Sequence, residues 1–175
     1  MNQDSLLPAL QQATQLALTV GAYLKSTLYK GPIGAKGKSP ADLEAERRLR
    51  LGLSQFSPNW GIRVEEEPEY NTQAKTIKGE TWLIDPNDGT SAYLKGQRGA
   101  SVSIGLIREG VPVLGVVFAY AAPNGKGDLF TWAEGCGPLM RNGKAIDKPW
   151  NPFQDRGLFF VSNSAHNKGL SLIHI

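Results

Sequence analysis

The residues best suited to chemistry stand at the centre of the chain, in Trp82-Leu83-Ile84-Asp85-Pro86-Asn87-Asp88-Gly89-Thr90. An apolar run, read as a strand, delivers Asp85 to its end, Pro86 fixes a turn, and Asp88 returns to the same side. Two carboxylates held this close repel each other unless a cation lies between them. Hard oxygen ligands of this kind suit Mg²⁺, and the backbone carbonyl of Asn87 offers a further oxygen. Gly89 lets the backbone approach a ligand closely. Thr90-Ser91-Ala92-Tyr93 opens a short helix, whose first amides form a phosphate cradle beside bound metal. The same Asp-Pro-Asn-Asp-Gly is also a strong type I turn sequence, with each residue favoured for turn geometry alone.

Two further clusters bear on that choice. Val64-Glu65-Glu66-Glu67-Pro68 places three adjacent carboxylates at the end of a predicted strand, one loop before the Asp85 strand. As a charge run it reads as a solvated strand end; as a partner to Asp85 it reads as the convergence of two strand ends. Ser39-Pro40-Ala41-Asp42 is a helix-capping sequence, and a capping carboxylate can still face a metal cluster across the site.

Taken together and in this order, Ser39-Pro40-Ala41-Asp42, Glu66-Glu67 and Asp85-Pro86-Asn87-Asp88-Gly89-Thr90 resemble the inositol monophosphatase family, which is similar to the bisphosphate nucleotidases and fructose-1,6-bisphosphatases. The resemblance covers nearly all of residues 5 to 168. It implies Glu66 and Asp85 as shared metal ligands, joined by the Asn87 carbonyl at one metal, with Asp88 on a second. It implies phosphate contacts from the backbone of Gly89, Thr90 and Ser91. Asp42, paired with the Thr90 hydroxyl, orients the attacking water, and Glu67 supports the ligands. Two or three Mg²⁺ ions, an in-line attack by an activated water and no covalent phosphoenzyme follow from such a set.

The implied activity is hydrolysis of a phosphate monoester on a small metabolite: an inositol or sugar monophosphate, or a 3′(2′),5′-bisphosphate nucleotide. A homodimer and lithium inhibition are further family expectations. The alternative from another class is a non-catalytic metal-binding or regulatory protein that keeps the fold. Two departures stand out. Ser39 occupies a position where the family usually has Thr. The family also continues into a second α/β domain carrying a further Asp ligand in a Trp-Asp-x-Ala segment, which is missing here, so slow turnover by this chain is expected.

The elements that must position these residues are legible from periodicity. Leu6, Leu7, Leu10, Ala13, Leu16, Ala17, Val20 and Leu24 predict a helix over 5–28, capped by Asp4 or Ser5. The Gly/Lys-rich Lys30–Lys38 reads as a loop. Ser39 and Pro40 then open a helix running to about Gln55. Strands follow at 61–65, 81–85, 100–108, 111–121, 128–133, 139–141 and 158–162, with a tight hairpin turn at Glu109-Gly110. The fold class is α+β: a sugar-phosphatase-like layered arrangement, two N-terminal helices packed on a mainly antiparallel sheet.

Composition narrows the rest. At 175 residues the chain carries one domain with a real core. The net charge of +3 is spread over scattered Lys and Arg, which disfavours nucleic acid and still suits an enzyme attracting phosphorylated metabolites. Cys136, the lone cysteine, excludes an internal disulfide and reads as a packing residue. No apolar run is long enough to span a membrane, and the N-terminus lacks a basic region, so a cytoplasmic protein is expected. Tyr93, Lys95 and Arg98 are candidate rim residues. His166 is either an exposed loop histidine or a substrate neighbour. The last six residues, Leu170–Ile175, match one reading frame of a transposase adaptor used in DNA library preparation. They are set aside as a tail (170–175), leaving 1–168 as the metal-binding domain.

Overall fold

The computed structural model describes residues 5–28, 39–96 and 99–146. Helices α1 (Leu7–Thr27) and α2 (Pro40–Phe56) pack against each other and against one face of a sheet that has seven strands among the described residues. These are β1 (Gly61–Val64), β2 (Thr81–Asp88), β3 (Ser101–Arg108), β4 (Val111–Ala119), β5 (Asp128–Ala133), β6 (Met140–Arg141) and β7 (Lys144–Ala145), standing in sequence order. The β1–β2 pair is parallel and every later pair antiparallel. The expected α+β layering is therefore present. The strand expected at 158–162, the Lys30–Lys38 loop, Arg98, His166 and the 170–175 tail lie outside the described residues.

Register explains how the core is filled. Trp82, Leu106 and Leu114 form one row across β2, β3 and β4, and Ile84, Ile104 and Val116 form the next. All six are buried and face the helices. Against them α1 presents Ala9, Ala13 and Ala17, small side chains that let the helix come close, while α2 presents Ala45, Leu49 and Leu53. The indole nitrogen of buried Trp82 donates to Ser57 Oγ at 2.8 Å, so the ring's polar edge is satisfied. The alternate residues point the other way, where Leu83, Val117 and Trp132 remain 36 to 40% exposed beside a shallow concavity of about 460 Å³.

Several local details depart from expectation. α1 is not capped by Ser5: Leu6 is the N-cap residue, and Ser5 Oγ only accepts from the Leu7 amide at 3.3 Å. Pro8 has no amide to satisfy, which lowers the need for a polar cap, and Leu6 gains by burying its side chain. Asp4 lies outside the described residues. A 3₁₀ turn at Pro68–Tyr70 and the short β7 were not expected. The Glu109-Gly110 hairpin is as expected, with both residues at positive φ (51° and 81°), the geometry that matches the twist of the flanking strands.

Candidate active site

The site is built around an irregularity in β2. The strand does not end at Asp85 in a reversing turn; it continues to Asp88 through a bulge. Asp85 pairs with Ser103 and Asp88 with Ser101, so three residues of β2 advance against two of β3. In a regular strand, residues three apart face opposite sides. The extra residue of the bulge cancels that alternation and brings both carboxylates to the side away from the helices. The Asn87 amide donates to Asp85 Oδ1 at 3.1 Å and holds the bend.

Asn87 itself turns inward and is buried. Its side-chain amide donates to Asp42 Oδ1 at 2.7 Å, and its side-chain oxygen accepts from the Tyr120 hydroxyl. Asp42 is also the third residue of α2, where the expected cap is realised as a capping box. Asp42 Oδ2 accepts from the Ser39 amide at 2.9 Å and Ser39 Oγ accepts from the Asp42 amide at 3.1 Å. The expected Asp42–Thr90 pair is replaced: the Thr90 hydroxyl donates to the Asn87 carbonyl at 3.1 Å. With the Asn87 amide already on Asp42, the threonine takes the nearer backbone acceptor three residues back. That bond also occupies one lone pair of the carbonyl expected to face a metal.

Next to this network, Gly89 takes φ 95° and heads α3 (Thr90–Leu94), a single turn closed by the Ala92 and Tyr93 amides on the Gly89 carbonyl. The amides of Thr90 and Ser91, at the first two helical positions, have no acceptor within the helix. Tyr93 is not a rim residue. It is buried, and its hydroxyl shares a 2.9 Å hydrogen bond with Thr27 Oγ1. Lys95 is exposed.

The acidic run at the end of β1 fans out in two directions. Glu66 is buried, while Glu65 is exposed. Asp85 is pushed up to about 7, first by burial, then by the Glu65 carboxyl, which meets it within hydrogen-bond reach, and by the charge of Asp88. Glu65, the residue before the expected Glu66, thus acts on Asp85 directly. Strand alternation accounts for this: Val64 faces the helices, so Glu65 faces the Asp85 side.

This chemistry fits a hard divalent cation, whose charge relieves like-charge repulsion and returns Asp85 to its ionised form. Glu65 and Asp85 are the carboxylates that meet, with Asp88 alongside. Among the described residues no three Asp, Glu, His or Cys side chains are close enough to share one ion, so the donor set forms an open pair and not a closed cage.

Sequence reasoning missed two participants. Glu46 is wholly buried, and its carboxylate accepts from the Glu66 amide at 2.6 Å and the Glu67 amide at 2.9 Å. Burial pushes its carboxyl up, and the two amides pull it part of the way back. The signal was present in α2, where the apolar stripe Ala45, Leu49, Leu53 forces Glu46 inward. Tyr120, beyond β4, offered no such signal. Cys136 packs against the core, as expected.

Comparison with known proteins gives these observations a frame. The profile of the inositol monophosphatase family matches residues 6–168. The 3′(2′),5′-bisphosphate nucleotidase CysQ of Escherichia coli K12 is 34% identical over 142 residues, covering 73% of this chain and 55% of that protein. The inositol-1-monophosphatase of Rhizobium meliloti is 34% identical over 113 residues, 65% of this chain and 39% of that one. Among solved structures, an inositol monophosphatase from Anabaena superposes with a TM-score of 0.67 at 28% identity, covering 83% of this chain and 51% of that chain. The chain thus spans about two fifths to a little over half the length of these relatives.

Proposed function

The chain belongs to the inositol monophosphatase family, and from that premise we propose that it is the metal-binding part of a phosphoric monoester hydrolase. Its substrate is a small phosphorylated metabolite, an inositol or sugar monophosphate or a 3′(2′),5′-bisphosphate nucleotide. The observation that carries this reading is the β2 bulge, which sets Asp85 and Asp88 on one side beside Glu65, where burial first and the neighbouring carboxyls second hold the Asp85 carboxyl well above its usual range.

The roles follow from position. Asp85 and a carboxylate of the Glu65–Glu67 run would hold one Mg²⁺ through hard oxygens, with the Asn87 carbonyl as a further donor and Glu67 in support, and Asp88 would hold a second. Bound there, Mg²⁺ acidifies water and neutralises charge on phosphate. The amides of Gly89, Thr90 and Ser91 receive the phosphate oxygens. Asp42, fixed by Ser39 and Asn87, keeps two of its four lone-pair sites in reserve to orient a water. The Thr90 hydroxyl trades its Asn87 partner for that water when substrate binds. The site opens on the exposed side of the sheet. No helix among the described residues is long and apolar enough to cross a membrane.

The test is phosphate release from inositol monophosphate and from adenosine 3′,5′-bisphosphate, with and without Mg²⁺, for the 175-residue chain and its Asp85→Asn variant. Slow, Mg²⁺-dependent release that vanishes in the variant is expected. Release that ignores both Mg²⁺ and Asp85 overturns the proposal. Release at the full rate of two-domain relatives overturns the expectation that a second domain completes the site.

A further inference from the structure

Glu46 has no place in the roles above, yet it is a carboxylate with no exposed surface, carried on α2 one turn after Asp42. Burying a carboxylate is costly, and an apolar side chain would fill the same space on the stripe of Ala45, Leu49 and Leu53 at no such cost. What Glu46 gains is a two-point grip on a distant segment. Oε2 takes the Glu66 amide at 2.6 Å and Oε1 takes the Glu67 amide at 2.9 Å, 20 and 21 residues further along the chain.

Hydrogen bonds from amides to an ionised carboxylate are short and strong, and a bidentate pair adds direction. Two successive peptide planes gripped by one rigid carboxylate leave the backbone at Glu66 little freedom to turn. The fan of the acidic run, with Glu65 toward Asp85 and Glu66 inward, is set at that residue. Asp42 and Glu46 stand four residues apart on one helix face. One turn of α2 therefore spaces the Asn87 network from the acidic loop.

We propose that Glu46 is a positioning residue: its carboxylate pins the Glu65–Glu67 loop to α2 and so sets the cation affinity of the site. The affinity part rests on the metal-site reading above; the pinning stands on geometry alone.

Mn²⁺ is the probe, titrated into the 175-residue chain by electron paramagnetic resonance, with amide exchange and hydrogen-bond scalar couplings read by NMR. Glu46→Gln keeps the shape but turns an NH₂ toward one of the two amides. Its Mn²⁺ dissociation constant is expected to rise by about tenfold or more, as for other groups that orient metal ligands. The Glu66 and Glu67 amides are expected to exchange faster, with the β3–β4 ladder unchanged. Leu49→Ala, on the same helix face, loosens the core without touching the loop and is expected to bind Mn²⁺ within about twofold of the parent.

Equal binding by Glu46→Gln and the parent overturns the proposal, and so does equal weakening by Leu49→Ala, which would make Glu46 merely structural. A parent that takes up no Mn²⁺ overturns the metal reading instead, and the pinning is then decided by exchange and couplings. Couplings from both amides to the Glu46 carboxyl carbon are expected in the parent itself; their absence overturns the pinning even if Glu46→Gln does not fold.

Discussion

The side-chain amide of Asn87 meets the Asp42 carboxylate at 2.7 Å, across 45 residues of chain. Its oxygen takes the Tyr120 hydroxyl, so one buried side chain ties the start of α2 to the end of β4. Asn87→Leu would strand that hydroxyl in a dry environment, at a cost of about 1–3 kcal/mol. Adding Tyr120→Phe removes that hydroxyl, and urea denaturation is expected to show its share of the loss regained, while the share from buried Asp42, still without its amide donor, remains. The double variant is expected to stay impaired in Mg²⁺-dependent phosphate release, because Asp42 then lacks its orienting donor.

Gly89 tolerates no side chain. Its φ is 95°, and a Cβ would stand 2.7 Å from the Gly99 carbonyl oxygen. Gly89→Ala combines backbone strain with a clash against main chain, and about 2–4 kcal/mol of stability should be lost. Equilibrium unfolding followed by circular dichroism checks this; a variant as stable as the parent would contradict the geometry.

Gly21 makes the opposite case for substitution and still loses. Alanine in mid-helix gains about 1 kcal/mol of helix propensity over glycine. Here the added methyl would sit 2.4 Å from a ring carbon of buried Phe118, with Tyr120 Cβ at 3.1 Å behind it. Overpacking costs about 1–3 kcal/mol, so Gly21→Ala is expected to lower the melting temperature despite its better helix former.

The charge at Asp85 gives stability a pH dependence with a definite sign. Its carboxyl is raised from 3.8 to about 7 in the folded protein, so the folded state binds the proton more tightly than the unfolded chain. Without metal, stability should therefore fall as pH rises from about 4 to about 7, by about 1–2 kcal/mol once solvent screening at this half-buried site is allowed for. Mg²⁺ favours the ionised form and should flatten or reverse the trend, and Asp85→Asn should remove it. Melting temperatures from pH 4 to 8, with and without Mg²⁺, decide the matter.

The layering, both long helices and the positions of most strands were legible because hydrophobic periodicity is local and these elements obey it. The capping box was legible because Ser39, Pro40 and Asp42 act within four residues. The β2 bulge was not: Asp-Pro-Asn-Asp-Gly carries the same turn chemistry whether the chain reverses or continues, and only pairing with Ser101 and Ser103 distinguishes the outcomes. That Glu65 comes to the Asp85 side depends in turn on which face of β1 Val64 occupies, a tertiary fact. Tyr120 could not be found, since nothing near it in sequence reveals a partner 33 residues earlier.

The order of the sheet has a consequence for how the molecule comes into being. Each described strand lies beside its predecessor in sequence, so most of the pairing closes short loops. The β3–β4 hairpin, joined by two residues, can zip first. Growth from β4 toward β7 then needs only further local reversals. The parallel β1–β2 pair must wait for a 16-residue crossover to close (65–80), and the acids of the site come together across that seam. The proposed cation site is therefore assembled late, and its carboxylates meet only after most of the hydrophobic work of folding is done.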